Sequence, residues 1–322
     1  GAKNASLRNK NALDLGTVTV GQNFTVTPGG SLTDSGDVTV DGLATIVAAG
    51  HSVTLGDGTT ANFGSVDFAG DAVTITENSS MVIAASEATG ALSITANGAI
   101  TQTTGVIDAD GTSSFSAGAN AITLDSANDF TGAVSLSNTG ANDVSITDSS
   151  ALILGTVTVG QNLTVTTTGG ALTDSGNVSV VGLATIVATG QNVTLGDATS
   201  ETTNFGSLDF AGAAVSISED SSMSIAASEA TGSLTLVSSA DITQTGRILA
   251  QDGATAPVGV ATSITAGTDI VLDNADNVFG ELALNAGNEI AIRETGSMSG
   301  TAAAQSLQAR ATTGIEFKSG TA

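Results

Sequence analysis

The run LGTVTVGQN at residues 15–23 returns letter for letter at residues 154–162. Within it Val18 and Val20 alternate with Thr17 and Thr19, the period of two that puts one face of a strand in a dry interior and the other in water. A glycine and a polar Gln-Asn pair close the run, and a second alternation, Phe24-Thr25-Val26-Thr27, begins at once. Short strand, tight corner, short strand is therefore the unit. A unit that recurs at long fixed spacing predicts a solenoid in which each coil buries its apolar face against the next.

The matches continue downstream. TDSG stands at Thr33 and Thr173, GLATIVA at Gly42 and Gly182, NFGS at Asn62 and Asn204, and IAASEATG at Ile83 and Ile225. The offset drifts from 139 to 149, and the insertions that cause the drift fall at residues 166–168, 200–203 and 253–258. All are turn-like, as expected when strands stack in register and corners bulge freely. Residues 1–14 read as a lead-in or cap, 15–153 as the first copy, 154–280 as the second and 281–322 as the start of a truncated third, in one continuous solenoid. The first copy divides into six coils of roughly 21 to 28 residues, about 29 Å at the spacing of adjacent strands. Extended over the chain this predicts an all-β, right-handed parallel β-helix of about 14 coils, an elongated rod.

Composition agrees with a narrow core. Hydrophobic residues make up 40% of the 322, but there is no Trp, Tyr or Cys and only nine Phe, so the interior must be stacked Val, Ile, Leu and Ala. The net charge is −24, from 31 acidic and seven basic residues, and no Lys or Arg occurs between Asn11 and Gly246. Nucleic acid is excluded as a main partner, because phosphate neutralisation needs basic side chains. No apolar run approaches the roughly 18 residues of a membrane helix, so no membrane insertion is expected. Gly1 reads as a processed end or the edge of an excised fragment.

With the strands VTV, SVDF, AVTI and AITL, and the run LDSANDFTG at residues 124–132 with its counterpart LDNADNVFG at 272–280, the chain resembles the filamentous-haemagglutinin-like repeats of large secreted bacterial adhesins. That resemblance covers nearly the whole chain and implies a right-handed β-helix shaft exported through an outer-membrane partner.

Candidate chemistry is sparse. His51, the single histidine, is matched by Gln191 at the corresponding position of the second copy, so its position does not require an imidazole. With no Cys and no second His, nucleophilic triads lack material. Acidic pairs such as Asp108 with Asp110 and Glu219 with Asp220 suit glycoside hydrolysis in number only, since neither basic residues nor aromatic platforms accompany them. Asp273, Asn274 and Asp276 form the corner whose oxygens best suit calcium, although solvated turn residues are the simpler reading and no cofactor is expected otherwise. Thr-x-Thr arrays on a solenoid suit ice. Following the first strand of each coil gives Thr39/Asp41, Ser65/Asp67, Ser93/Thr95, Ser114/Ser116 and Ser135/Ser137, a mixed and charged face that argues against it. Phe63, Phe68 and Phe130 recur as Phe205, Phe210 and Phe279 while Phe24 becomes Leu163, which predicts core packing, with Met81 and Met223 filling gaps.

The expected role is a structural shaft or fibre segment of a large extracellular bacterial surface protein, not an enzyme, whose partner is itself through end-to-end stacking or lateral contact. The alternative is an adhesin module that binds a glycan or cell-surface protein through its flank, at residues 200–203 and 253–258. A polysaccharide-degrading β-helix enzyme comes third.

Overall fold

A computed structural model describes residues 3–197, 201–252 and 259–319. It divides into two compact units, Gly1–Gln161 and Asn162–Ala322. Both are β-solenoids. No helix occurs among the described residues, every pairing of strands within each unit is parallel, and the turns number about 15.

In the first unit the strands stack in three columns. One runs Ala5, Phe24, Ala44, Val66. A second runs Leu13, Leu32, Val53, Val73, Leu92, Ser113, Val134, Leu154. The third contains Met81, Ile100, Ile122 and Val144. The second column takes seven steps, about 34 Å, where the sequence predicted six coils over much the same stretch. Two features explain the difference. Strands such as Val38–Val47 and Ala61–Gly70 run through a corner without a break, so the glycines there, Gly42 and Gly64, shift the register without ending the strand. The segment expected as a lead-in also holds strands, Ala5–Arg8 and Leu13–Leu15, already in register with the following turn. Turns are correspondingly shorter than predicted where Glu289 lies on Ser306, and they reach the upper end of the range where Leu234 lies on Thr262.

Alternation becomes burial as the sequence requires. Along Val73–Glu77 and Leu92–Ala96 each second side chain is buried. All six recurring Phe are interior, as are Met81 and Met223. Phe115 and Phe130 meet edge to face with centroids 5.9 Å apart, a geometry that satisfies the ring quadrupoles.

Glycine separates corners that must be tight from corners that are merely polar. Gly56 and Gly58 both have positive φ, at 75° and 77°. A Cβ on Gly56 would fall 2.0 Å from the Thr76 carbonyl oxygen, whereas one on Gly58 meets nothing within 4 Å. Gly56→Ala is expected to cost about 3 kcal/mol through clash and backbone strain together, and Gly58→Ala about 1 kcal/mol through backbone strain alone. Urea unfolding of the two variants side by side measures the difference.

Candidate functional site

The most regular polar feature of the molecule is internal. Glu77 Oε1 accepts the backbone N–H of Phe63 at 3.0 Å, Asp148 Oδ2 that of Phe130 at 2.9 Å, Glu219 Oε1 that of Phe205 at 2.6 Å, and Glu294 Oε2 that of Phe279 at 3.1 Å. All four carboxylates are at most 3% exposed. Glu77 also receives the Ser79 hydroxyl, and Asp148 receives the Ser150 N–H and hydroxyl. The second oxygen of Glu77, Glu219 and Glu294 has no partner. Burial therefore dominates their ionisation. It pushes Glu77 and Glu294 up to about 7 and Glu219, beside Asp220, up to about 8, against the opposing pull of the Phe N–H bonds. Asp148 is raised for the same reason.

A second polar device occupies the corners. Asn128 Oδ1 accepts from Gln102 Nε2 and the Ile107 N–H, while its Nδ2 donates to Gln102 Oε1 and to the carbonyls of Leu124 and Thr147. Asn277 repeats this with Gln244, Ile248, Leu272 and Arg293. Both asparagines are fully buried. Alternating with these corners along the chain are two of different chemistry, in which Asp34 accepts from the Gly56 N–H and the Thr59 hydroxyl, and Asp174 from the Gly196 N–H.

The corner singled out for calcium is a self-closed turn. Asn274 Oδ1 accepts the Asp276 N–H at 2.9 Å, and the carboxylates of Asp273 and Asp276 are exposed. Among the described residues no group of three or more His, Cys, Asp and Glu is placed to hold a metal ion. His51 is exposed. Asp108 stands in a column between Glu87 and Asp129, and partial burial and then the charges of Asp129, Asp110 and Glu87 raise its ionisation. The equivalent column of the second unit reads Glu229, Leu249, Val278, so the acidic ladder belongs to one copy. Of the two extensions proposed as binding loops, residue 200 and residues 253–258 lie outside the described residues.

One cleft joins basic groups. Arg293 lies directly on Arg310 of the next turn, and both line a recess of about 420 Å³ with Asp276, Thr295 and Thr312. Like charges directly opposite each other destabilise a sheet. A bound anion would reverse the sign of that term.

Sequence reasoning read the corners as acidic and solvated and so passed over Gln102, Asn128, Gln244 and Asn277. It also passed over the carboxylates as a set, although positions 77, 148, 219 and 294 stand 71, 71 and 75 residues apart. Four consecutive segments, residues 2–68, 70–137, 141–209 and 212–286, match one family, described as repeats of unknown function (DUF5649). No curated protein and no solved structure matches the chain. The family repeat is half the length of the copy visible by eye, and the structure gives the reason. All four repeats carry the Phe, and the second, third and fourth carry the carboxylate, with Asn9 at its position in the first and Glu294 following the fourth, whereas the corner chemistry alternates, Asp with Gly in the first and third and Gln with Asn in the second and fourth. Within the first unit the equivalent strands begin at Ala5, Val73 and Val144, each in a different column. A repeat thus advances the pattern by three turns and one face.

Proposed function

The chain belongs to the DUF5649 family of repeats, and we propose that it serves as a structural shaft segment of an extracellular bacterial fibre. One observation carries this reading. Glu77 lies in the second repeat and caps Phe63 of the first; Asp148 of the third caps Phe130 of the second; Glu219 of the fourth caps Phe205 of the third. Each repeat closes a buried donor of its predecessor, so no repeat is complete alone. Such interlocking suits a part whose work is to transmit tension, with a parallel ladder of backbone hydrogen bonds resisting separation of turns. Immunogold labelling of intact source cells tests the placement. Label outside the envelope is expected, and label that appears only after permeabilisation would overturn it. Single-molecule pulling tests the mechanics, with extension steps longer than one repeat expected and independent single-repeat steps contradicting the interlock.

The adhesin reading is favoured by the Arg293 and Arg310 stack alone. In a chain this acidic, two aligned guanidinium groups suit the carboxylate of an acidic glycan. Binding of uronate-containing oligosaccharides that is lost in Arg293→Ala and Arg310→Ala would support it, and no binding to acidic glycans would remove it.

A further inference from the structure

The register of the first unit assembles a face that tracing the sequence coil by coil does not predict. Thr39 stacks with Thr19 and Asn62, and Asp67 with Thr45, so the charged positions that broke the expected array belong to other columns. On the face built by Val73–Glu77, Leu92–Ala96, Ser113–Ser116 and Val134–Ser137 the outward pairs are Thr74/Thr76, Ser93/Thr95, Ser114/Ser116 and Ser135/Ser137, each directly above the next. Thr54 and Thr33 extend one column and Thr158 the other. Apart from the contacts of Thr33 with Asp14 and of Ser135 with the Thr156 N–H, these hydroxyls make no side-chain hydrogen bond within the described residues. All are exposed or half-buried, and the four paired rows contain no charge in a chain of net charge −24.

We infer that this hydroxyl face binds ice. Its pairs are about 6.6 Å apart along each strand and the rows about 4.8 Å apart, a rectangular grid close to the spacing of oxygen atoms on a prism face of ice. A grid of free hydroxyls on a stiff backbone orders water on that spacing before contact, so little ordering remains to be done when ice arrives. Other occupants fit less well. The grid covers on the order of 300 Å², well below the roughly 800 Å² per partner of a stable protein interface, so a second copy gains too little. A crystalline polysaccharide is normally gripped by aromatic platforms, and the chain has no Trp or Tyr. The second unit carries a poorer version, Ser216/Ser218, Thr235/Val237 and Ser263/Thr265, in which one hydroxyl is replaced.

The test is ice-affinity partitioning of the full chain, fluorescently labelled, together with inhibition of ice recrystallisation. Wild type is expected to enter the ice fraction and to slow crystal coarsening. Ser114→Lys, at the centre of the grid, is expected to reduce both by about tenfold by setting an ammonium against the lattice. Thr123→Lys, on the column of Thr101 and Ser145, is expected to leave both unchanged. Circular dichroism of the variants separates loss of the face from loss of the fold. Exclusion of wild type from ice, or equal behaviour of folded Ser114→Lys and wild type, overturns the inference. So does binding to crystalline cellulose or chitin without binding to ice.

Discussion

Raising the pH from about 5 to about 9 is expected to lower the melting temperature by about 7 °C, the reverse of ordinary acid denaturation. The sign follows from the buried carboxylates. In the unfolded chain a Glu releases its proton near 4.5, whereas in the fold Glu77 and Glu294 hold theirs to about 7 and Glu219 to about 8. Between those values the native state binds more protons than the unfolded state, so stability falls as pH rises. Below about 4.5 both states are protonated and the groups contribute no slope; above about 8 the full penalty of a buried charge has been incurred. A tenfold change in proton affinity is worth about 1.4 kcal/mol, which puts the total on the order of 5 kcal/mol after relaxation around the charges. The raised Asp67, Asp108, Asp148, Asp174 and Asp209 act with the same sign. No resolved shift opposes them. Calorimetry across this range checks the slope. Replacing Glu77, Glu219 and Glu294 together by Gln, which keeps an oxygen for each Phe N–H and cannot ionise, is expected to flatten most of it; an unchanged profile would assign the pH dependence to other groups.

What the sequence conveyed and what it withheld divide along physical lines. Alternation in VTV and VTIT reports which side chains are dry, because the period of a strand is local. Phe63, Phe205 and their kin were legible as core because a ring replaced by Leu at position 163 reveals a need for volume and not for chemistry. The phase of one turn over the next is not local. It depends on how many residues each corner consumes, and ten-residue strands that bend at Gly42 or Gly64 without ending conceal that number. The hydroxyl grid of Ser93, Ser114 and Ser135 was hidden for this reason, although each residue had been seen to point outward. The buried asparagines were hidden for another. Asn128 stands beside Asp129, and Asn277 follows Asp276, in segments whose composition signals a wet turn, and only the three-dimensional neighbourhood shows that the amide lies inside while the acid lies out.

The same contrast sets the expectation for Asn277→Ala. Five hydrogen bonds converge on this side chain, and its removal strands the Ile248 N–H and takes a donor from the Leu272 and Arg293 carbonyls and from Gln244 Oε1, while Gln244 Nε2 keeps the Gly246 carbonyl. Each buried group left unsatisfied costs about 1–3 kcal/mol, so a loss of about 4–5 kcal/mol is expected, near the upper end for single substitutions. Asn277→Asp fares no better, because a carboxylate turns its oxygens toward the Leu272 and Arg293 carbonyls that the Nδ2 group had satisfied. Gln244→Ala removes the facing amide, and the double variant should cost well below the sum of the singles because the two share their bonds. Chemical denaturation of the four proteins of this cycle measures that coupling. Asn274→Ala, three residues away in the exposed turn, is expected to change stability by less than about 1 kcal/mol. If Asn277→Ala were equally mild, the Gln and Asn corner would be spacing and not structure, and the alternation that doubles the family repeat would need another cause.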